Sequence, residues 1–587
     1  MTVEHLGLMI QNRTAKFKNL TAMRHKNENG WQEITYRDMG RRIQQVALAL
    51  LSLGVKSGDR IALFSPNRPE WTIADFAILS IRAVTVPIYA TNTTAQAAYI
   101  VDDAGADIIF TGGWAQYQKI RSIPGGKTII TFDAIKENTG KDTIHFDKLR
   151  AMARTVDPDR LRARRQAARS QDPATIVYTS GTTGDPKGAV LTHANFFHQI
   201  RAVDAAFTVG PKDRSLCFLP LSHVYERLWS FYVFNRGAQN NYLADPRQVI
   251  DYLSEVRPTA MVSVPRLYEK IYAAVGQQIE SSGIVKKKLF KWALAKGLKY
   301  GRILQQGKKV PPGLKAGHAI ADRLVLSRIR TIVGGRKNFF SAGGAPLSRE
   351  IEEFFFAAGV LVCQGYGLTE TAPMITYNTP ANFRFGTVGR PVPDCDVKIA
   401  DDGEILVRGG QVMAHYHNRP GETKGAFTDQ WFHTGDVGAF DADGYLKITD
   451  RIKDLIITSV GKNIAPQRIE NLIGQDIFIE QVAVFGDRRK YISALVVPAF
   501  EQLEAWARAK GIVPASRSDL VAHPNVIAFL KRRIEARSKD LAPFENIKKF
   551  TMLPCAFTEE QGEVTPTLKI RRKFIYHRYK KQIDAMY

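Results

Sequence analysis

The run Ile176-Val177-Tyr178-Thr179-Ser180-Gly181-Thr182-Thr183-Gly184-Asp185-Pro186-Lys187-Gly188 has the make-up of a phosphate cradle. Gly181, Gly184 and Gly188 let a backbone turn and approach a ligand closely. Thr179, Ser180, Thr182 and Thr183 bring hydroxyls beside those amides, and Lys187 brings a point charge for a phosphate oxygen. It is not the P-loop, which needs Gly-Lys-Ser/Thr running into a helix. Here the lysine precedes Gly188, and Ala189-Val190-Leu191 reads as a second short strand, so the loop is expected at a hairpin tip. Gln364-Gly365-Tyr366-Gly367-Leu368-Thr369-Glu370-Thr371 follows the strand-like Val360–Cys363 and therefore sits at a strand's carboxyl end, where α/β sheets bind ligands. Tyr366 between two glycines can stack on a base, Thr369 can donate to a phosphate, and Glu370 is a hard oxygen ligand for Mg²⁺. Trp431-Phe432-His433-Thr434-Gly435-Asp436 sets a carboxylate beside a glycine turn, as a ribose diol requires. Two charged runs follow: Asp450-Arg451-Ile452-Lys453-Asp454, leading to Gly461-Lys462-Asn463, and Pro566-Thr567-Leu568-Lys569-Ile570-Arg571-Arg572-Lys573. Taken singly, each also has a plain reading as a strand-end turn, a turn aspartate, a mixed-charge loop or a solvated tail.

The elements that must carry these runs alternate. Thr35-Tyr36-Arg37-Asp38 has the form of a capping box, Met39, Ile43, Val46 and Leu50 share one helical face, and Gly54 closes the helix. Strands are expected at Ile61–Phe64, Ala83–Pro87, Asp107–Phe110 and Met261–Val264, with helical patterns between them. That alternation implies an α/β fold of mainly parallel sheets sandwiched by helices. Near Gly386 the texture changes to short strands and turns, a small β subdomain reaching about Asp450. A small α+β unit follows: a hairpin at Val482–Phe485 and Ile492–Val497, helices at Phe500–Lys510 and Val526–Lys539, and a strand at Phe550–Leu553. The division is expected at 1–449 and 450–587.

With 587 residues, more than one core is required. No window reaches the roughly 18 apolar residues of a membrane span, and the N-terminus, with Glu4 and His5, shows no signal-peptide core. Cys217, Cys363, Cys395 and Cys555 are dispersed, the pattern of a reduced, cytoplasmic protein without disulfides or a zinc site. The net charge of +25 admits anionic cofactors, anionic membrane or nucleic acid, but no RNA- or DNA-binding motif accompanies it, so nucleic acid is not expected. Between Lys286 and Lys337 the basic residues are interleaved with Leu289, Phe290, Trp292, Leu294 and Leu298. Two readings stay level: a peripheral membrane contact on the inner face of a bilayer, or a solvated basic face.

In this order and spacing the five runs resemble the AMP-forming acyl- and aryl-CoA synthetases, the adenylate-forming superfamily that includes luciferases and adenylation domains. Leu219-Pro220-Leu221-Ser222-His223-Val224-Tyr225-Glu226-Arg227, Ser341-Ala342-Gly343-Gly344-Ala345-Pro346-Leu347 and the closing Leu568–Lys573 are similar to its long-chain fatty acyl-CoA synthetase branch. Two departures are His415, where a glycine is usual, and Ala189, where a valine is usual.

The resemblance implies a fatty acid, ATP, Mg²⁺ and coenzyme A as partners, with acyl-AMP formed first and then exchanged for a thioester. It assigns the β- and γ-phosphates to the Thr179–Lys187 loop, and the adenine to Gly343, Gly344 and Ala345 with Tyr366 in the Gln364–Gly367 segment. It gives Thr369 the α-phosphate, Glu370 with Thr179 the metal, and Asp436 and Arg451 the ribose. Lys569 bridges the carboxylate and the α-phosphate, arriving on a C-terminal domain that rotates about Lys453 and also carries Lys462. His223 flanks the fatty carboxylate, and Val224 and Arg227 line the acyl side, Arg227 at a gate position. Transfer to an acyl carrier protein, and a catalytically weak fatty-acid-binding protein, are the alternatives; oligomeric state stays open.

Overall fold

The computed structural model describes residues 3–135, 142–179, 185–335, 339–452, 456–459, 462–539, 541–565 and 570–587. Its centre is a sheet in the order His415–Tyr416, Lys187–Thr192, Pro173–Thr179, Val84–Ile88, Arg60–Phe64, Ile108–Thr111, Thr128–Thr131, Thr143–His145. From Pro173–Thr179 onward all neighbours are parallel, and only the two pairings made by Lys187–Thr192 are antiparallel. A second sheet begins with Ala260–Ser263, Phe339–Ala342 and Val362–Gly367, all parallel, and closes with the antiparallel Met374–Tyr377 and Arg390–Pro391. Burial on both faces explains why these strands read as unbroken apolar runs. The expected strands are present with shifted ends; the third of the second sheet is Val362–Gly367, two residues later than Val360–Cys363.

The first long helix, Tyr36–Ser52, starts where expected. Thr35 accepts from the Asp38 amide at 3.1 Å, but the Asp38 carboxylate takes the Thr35 hydroxyl at 3.0 Å, so this cap is not the reciprocal box. The β subdomain is a set of antiparallel strands, Cys395–Ile399, Glu404–Gly409, Trp431–Phe440 and Leu446–Arg451, with Phe427–Thr428 at one edge. The C-terminal region pairs Ile479–Phe485 antiparallel with Ser493–Pro498 and adds Lys549–Met552 parallel to the latter. One contiguous apolar core reaches from Leu6 to Phe432, and a separate one runs from Ile456 to Met586.

The basic segment forms a helix with one face packed on the protein. Phe290, Trp292 and Leu294 of helix Ile284–Gln305 pack inward against the protein core and its neighbouring helices. The apolar side chains left in solvent lie at its ends and on the next turns: Ile284 is 74%, Val285 80%, Leu304 53% and Ile320 55% exposed.

The N-terminus is fastened by a pair of buried imidazoles. His5 stacks on His193 at 3.6 Å, and His193 Nδ1 accepts from the Leu6 amide at 3.1 Å. Burial lowers His5 to about 4, with Asp172 opposing and Arg82 assisting the shift; His193 is lowered further by burial, with His5, Arg227 and Arg82 adding to it. A pKa below the unfolded value of about 6.5 means that the unfolded chain binds the extra proton, so stability is full above pH 6.5 and is lost as pH falls towards 4. For His5 the loss is about 1.4 kcal/mol per pH unit within that window. Urea midpoints at pH 7, 6 and 5 should show this slope, and His5→Asn, which keeps a helix-capping acceptor, should flatten it; an unchanged slope in that variant would contradict the assignment.

Candidate active site

Three strand ends supply the site. Pro173–Thr179 and Lys187–Thr192 form the expected hairpin, with Thr179 paired to Lys187 and Tyr178 to Gly188. Ser180, Gly181, Thr182, Thr183 and Gly184 lie outside the described residues, so the structure places the two ends of the loop. The Thr179 hydroxyl donates to the Lys187 carbonyl at 3.4 Å. Lys187 itself ion-pairs with Glu422 and lies 5.5 Å from the centre of the Tyr416 ring.

Tyr416 joins two runs that are far apart in sequence. It pairs with Ala189 at the edge of the central sheet, and its hydroxyl donates to Glu370 Oε1 at 2.8 Å. The Glu370 carbonyl accepts from the Met413 amide at 2.7 Å, which pins the short helix Thr369–Thr371 against this edge. The glycine before that helix is obligatory: a Cβ on Gly367 would stand 1.7 Å from the Pro373 carbonyl oxygen. Thr369 sits beside Glu370 with its side chain partly exposed.

The ribose candidates are assembled by strand register. Asp436 and Arg451 are direct partners on Trp431–Phe440 and Leu446–Arg451, and Arg451 Nε donates to Asp436 Oδ1 at 2.7 Å. Tyr366 donates its hydroxyl to Asp436 Oδ2, also at 2.7 Å, tying the Gln364–Gly367 strand end to the β subdomain. Burial, and then the neighbouring Asp436 charge, push the Tyr366 phenol well above its usual range, so it remains a donor. The turn is held from behind by Glu404, which the sequence did not single out. Its two oxygens take the Gly435 amide at 2.8 Å and His433 Nδ1 at 2.6 Å, while His433 Nε2 lies 2.9 Å from the Thr428 hydroxyl.

The candidate adenine segment follows Phe339–Ala342. Gly343 is buried against Tyr225, whose ring would lie 3.1 Å from an added Cβ, while Gly344 and Ala345 are exposed. Gln364 acts through this segment: its amide donates to the Leu347 carbonyl at 3.1 Å and accepts from the Leu347 amide at 2.8 Å. Both ends of the side chain are thereby used on the loop. Gly365 continues the strand opposite Tyr377.

His223 caps helix Val224–Asn235, its Nδ1 accepting from the Tyr225 amide at 3.1 Å, which places the neutral-form proton on Nε2. Tyr225 in turn bonds the Ser341 hydroxyl, so His223 and the Gly343 segment share one support. Val224 is buried at 1% exposure.

Arg227, expected at the acyl gate, lies on the same helix. It is also 1% exposed and locked to Asp75, with Nε to Oδ2 at 2.8 Å and Nη2 to Oδ1 at 2.5 Å. Its remaining arm donates to Thr175 Oγ1 at 2.6 Å. All arms of the guanidinium are thus engaged inside the protein.

The last candidates belong to the C-terminal region. Lys453 and Lys569 lie outside the described residues. Lys462, in the small hairpin of Ile456–Ile457 with Asn463–Ile464, is held within that region, 5.6 Å from the Phe544 ring centre. Among the described residues, hydrogen bonds from Thr91 Oγ1 to Glu559 Oε1 at 2.9 Å and from Arg266 Nη2 to the Glu480 carbonyl at 3.3 Å link the region to the rest of the chain. Among the described residues no group of three or more His, Cys, Asp or Glu converges as a metal cage. Glu370 stands as a single carboxylate, which suits Mg²⁺ held chiefly by substrate phosphates and water.

Comparison with known proteins agrees with this geometry. The profile described as "AMP-binding enzyme" matches residues 10–417, and that of the "AMP-binding enzyme C-terminal domain" matches 453–587. The chain is 38% identical over 562 residues to the long-chain-fatty-acid--CoA ligase FadD15 of Mycobacterium bovis, spanning 95% of this chain and 92% of that one. It is 32% identical to long chain acyl-CoA synthetase 7, peroxisomal, of Arabidopsis thaliana, spanning 95% and 82%. Among solved structures, the A domain of a carboxylic acid reductase from Segniliparus rugosus, in complex with AMP and a co-purified carboxylic acid, superposes with a TM-score of 0.76 at 20% identity, covering 99% of this chain and 94% of that one. A Mycobacterium tuberculosis fatty acyl CoA synthetase gives 0.62 at 23%, covering 99% of both. At these identities the two structures establish the fold.

Proposed function

Because the chain belongs to the family of AMP-binding enzymes, we propose that it activates a long-chain fatty acid with ATP to acyl-AMP and pyrophosphate, then passes the acyl group to the thiol of coenzyme A with release of AMP. The observation that carries this reading is Tyr416, which binds the Glu370 carboxylate and lies against Lys187, joining the metal candidate to the phosphate lysine in one assembly. The curated relatives named above are CoA ligases, so transfer to a carrier protein and a merely fatty-acid-binding role are not favoured.

In this reading the first step brings a carboxylate to the α-phosphate, anion to anion, and the site must supply preorganised positive charge and donors. Lys187 exchanges Glu422 for the β- and γ-phosphate oxygens and steadies the leaving pyrophosphate. Asp436, aligned by Tyr366 and Arg451, accepts from the ribose hydroxyls. Thr369 donates to the α-phosphate, and His223 flanks the incoming carboxylate with its Nε2–H. Glu370, with Thr179, would hold Mg²⁺, which would neutralise phosphate charge. We divide the chain into an adenylation domain, 1–449, and a C-terminal domain, 450–587, hinged at Lys453. The separate apolar cores support that division.

Fatty-acid-dependent ATP–pyrophosphate exchange without coenzyme A, and AMP release only with it, test the proposal. No exchange with any medium- or long-chain acid would end it. Glu404→Ala removes one bond to the Gly435 amide and one to His433, each to a charged acceptor behind the Gly435–Asp436 turn. The KM for ATP is expected to rise about tenfold or more with little change for fatty acid; equal changes for both substrates would mean general disorder instead.

We also propose that the helix Ile284–Gln305 meets an anionic membrane surface. No helix among the described residues is long and apolar enough to cross one. Lys286, Lys288 and Lys291 make no ion pair among the described residues, and they adjoin the exposed Ile284 and Val285. With about 1 kcal/mol per basic residue, replacing the three lysines by glutamine should weaken co-sedimentation with anionic vesicles by about 3 kcal/mol. Unchanged binding would favour a solvated face.

A further inference from the structure

We propose that the groove between the first two helices of the chain is a binding site for a phosphate-bearing anion, separate from the adenylation site. The groove has a volume of about 390 Å³ and is walled by helices Leu6–Lys16 and Tyr36–Ser52, with Arg165 of helix Pro158–Gln166 at its side. Lys18, Arg37 and Arg165 come to it from three different parts of the chain, and no Asp or Glu lines it.

Arg165 is the decisive residue. Its Nε is buried without a hydrogen-bond partner, and it makes no ion pair among the described residues. Its neighbours on the same helix are otherwise employed: Arg160 donates to the Leu51 carbonyl at 3.0 Å, Arg164 to the Val55 carbonyl at 3.3 Å, and Arg162 pairs with Asp159 at 2.9 Å. Burial alone lowers the pKa of Arg165, with no facing carboxylate to counter it. A guanidinium drawn partly out of water without a counter-charge is costly, and an anion in the groove removes that cost.

The chemistry of the ligand follows from the lining. A planar guanidinium beside an ammonium suits phosphate oxygens, bidentately for the arginine. Three cations with no acid among them fit a multiply charged phosphate better than a single carboxylate. The groove is also large enough for more than an inorganic ion, and Ile10 and Ile43 offer apolar wall for a carbon portion. Free pyrophosphate and the phosphates of coenzyme A share this chemistry.

Equilibrium dialysis of the full chain with radiolabelled pyrophosphate, and in a parallel arm with coenzyme A, separates the two sources. At least one probe should occupy two sites per chain. Arg165→Gln should weaken one of them about tenfold or more while leaving fatty-acid-dependent exchange and the circular dichroism spectrum unchanged, and Arg165→Lys should retain part of it. Lys187→Ala should weaken the other site. Loss of the pyrophosphate site in Arg165→Gln assigns the groove to free phosphate; loss confined to the coenzyme arm assigns it to a nucleotide-borne one. One site per chain for both probes, unaffected in Arg165→Gln, would overturn the proposal.

Discussion

Lys569→Ala is expected to slow acyl-AMP formation by about 10²–10³, the usual cost of losing one key transition-state donor, while thioester formation from supplied acyl-AMP stays within a few-fold of the parent. The asymmetry follows from where the groups reside. Lys187, Glu370, Asp436 and Arg451, the residues proposed for the nucleotide, all stand on strand ends or turns of the region before residue 452. The charge that joins the fatty carboxylate to the α-phosphate is assigned by resemblance to Lys569, beyond that region. The residues flanking it are firmly built. Val564 and Ile570 pair in an antiparallel bridge, Arg571 N donates to the Glu563 carbonyl at 2.9 Å, and the buried Glu563 carboxylate takes the Tyr579 hydroxyl at 2.7 Å. Removing the side chain should therefore leave the C-terminal fold and its second role intact. Pyrophosphate exchange measures the first half-reaction, and single-turnover thioester formation from synthetic acyl-AMP measures the second. An equal fall in both would show that one arrangement of the domains serves both steps.

The parts of the site that were legible in sequence are those whose function is local. A cluster of glycines, hydroxyls and a lysine between two β-branched runs can be read without knowing its neighbours, and the hairpin of Pro173–Thr179 with Lys187–Thr192 needs only that cluster. Asp436 and Arg451 are also close enough in sequence for adjacent antiparallel strands to explain them. What was not legible depends on strand register between distant segments. Tyr416 reaches Glu370 only because His415–Tyr416 adds to the sheet edge beside Ala189. Glu404 faces His433 only because its strand pairs with Trp431–Phe440. Which face of the basic helix packs inward was not legible for a related reason: Phe290 and Leu294 share a sequence with many lysines, and only contact with the core turns them inward.

The partner of Arg227 lies on another helix, so the pair was not legible in the sequence, and that partner gives the second large effect. Asp75→Ala is expected to destabilise the fold by about 3–5 kcal/mol, the range for stranding one member of a buried ion pair. Asp75 comes from helix Pro69–Ser80 and Arg227 from Val224–Asn235, and the two are bound to the central sheet as well. Thr85 Oγ1 donates to Asp75 at 2.7 Å, and the Thr175 hydroxyl, which accepts from Arg227, donates to the Thr85 carbonyl at 2.7 Å. The rings of Phe231, Trp71 and Phe196 stand 5.4, 5.8 and 6.0 Å from the guanidinium, so water cannot replace a missing carboxylate. Because the cost is that of an unpaired charge, Asp75→Ala with Arg227→Met should recover much of it, the interaction term of a double-mutant cycle in urea being large and favourable. The same double variant separates structure from gating. Thr175 lies in the strand that ends at Thr179, so the pair braces the hairpin proposed to hold phosphate, and restoring stability without restoring charge should restore ATP binding while leaving the acyl-chain preference of the parent. A changed chain-length profile in that variant would return Arg227 to the acyl gate.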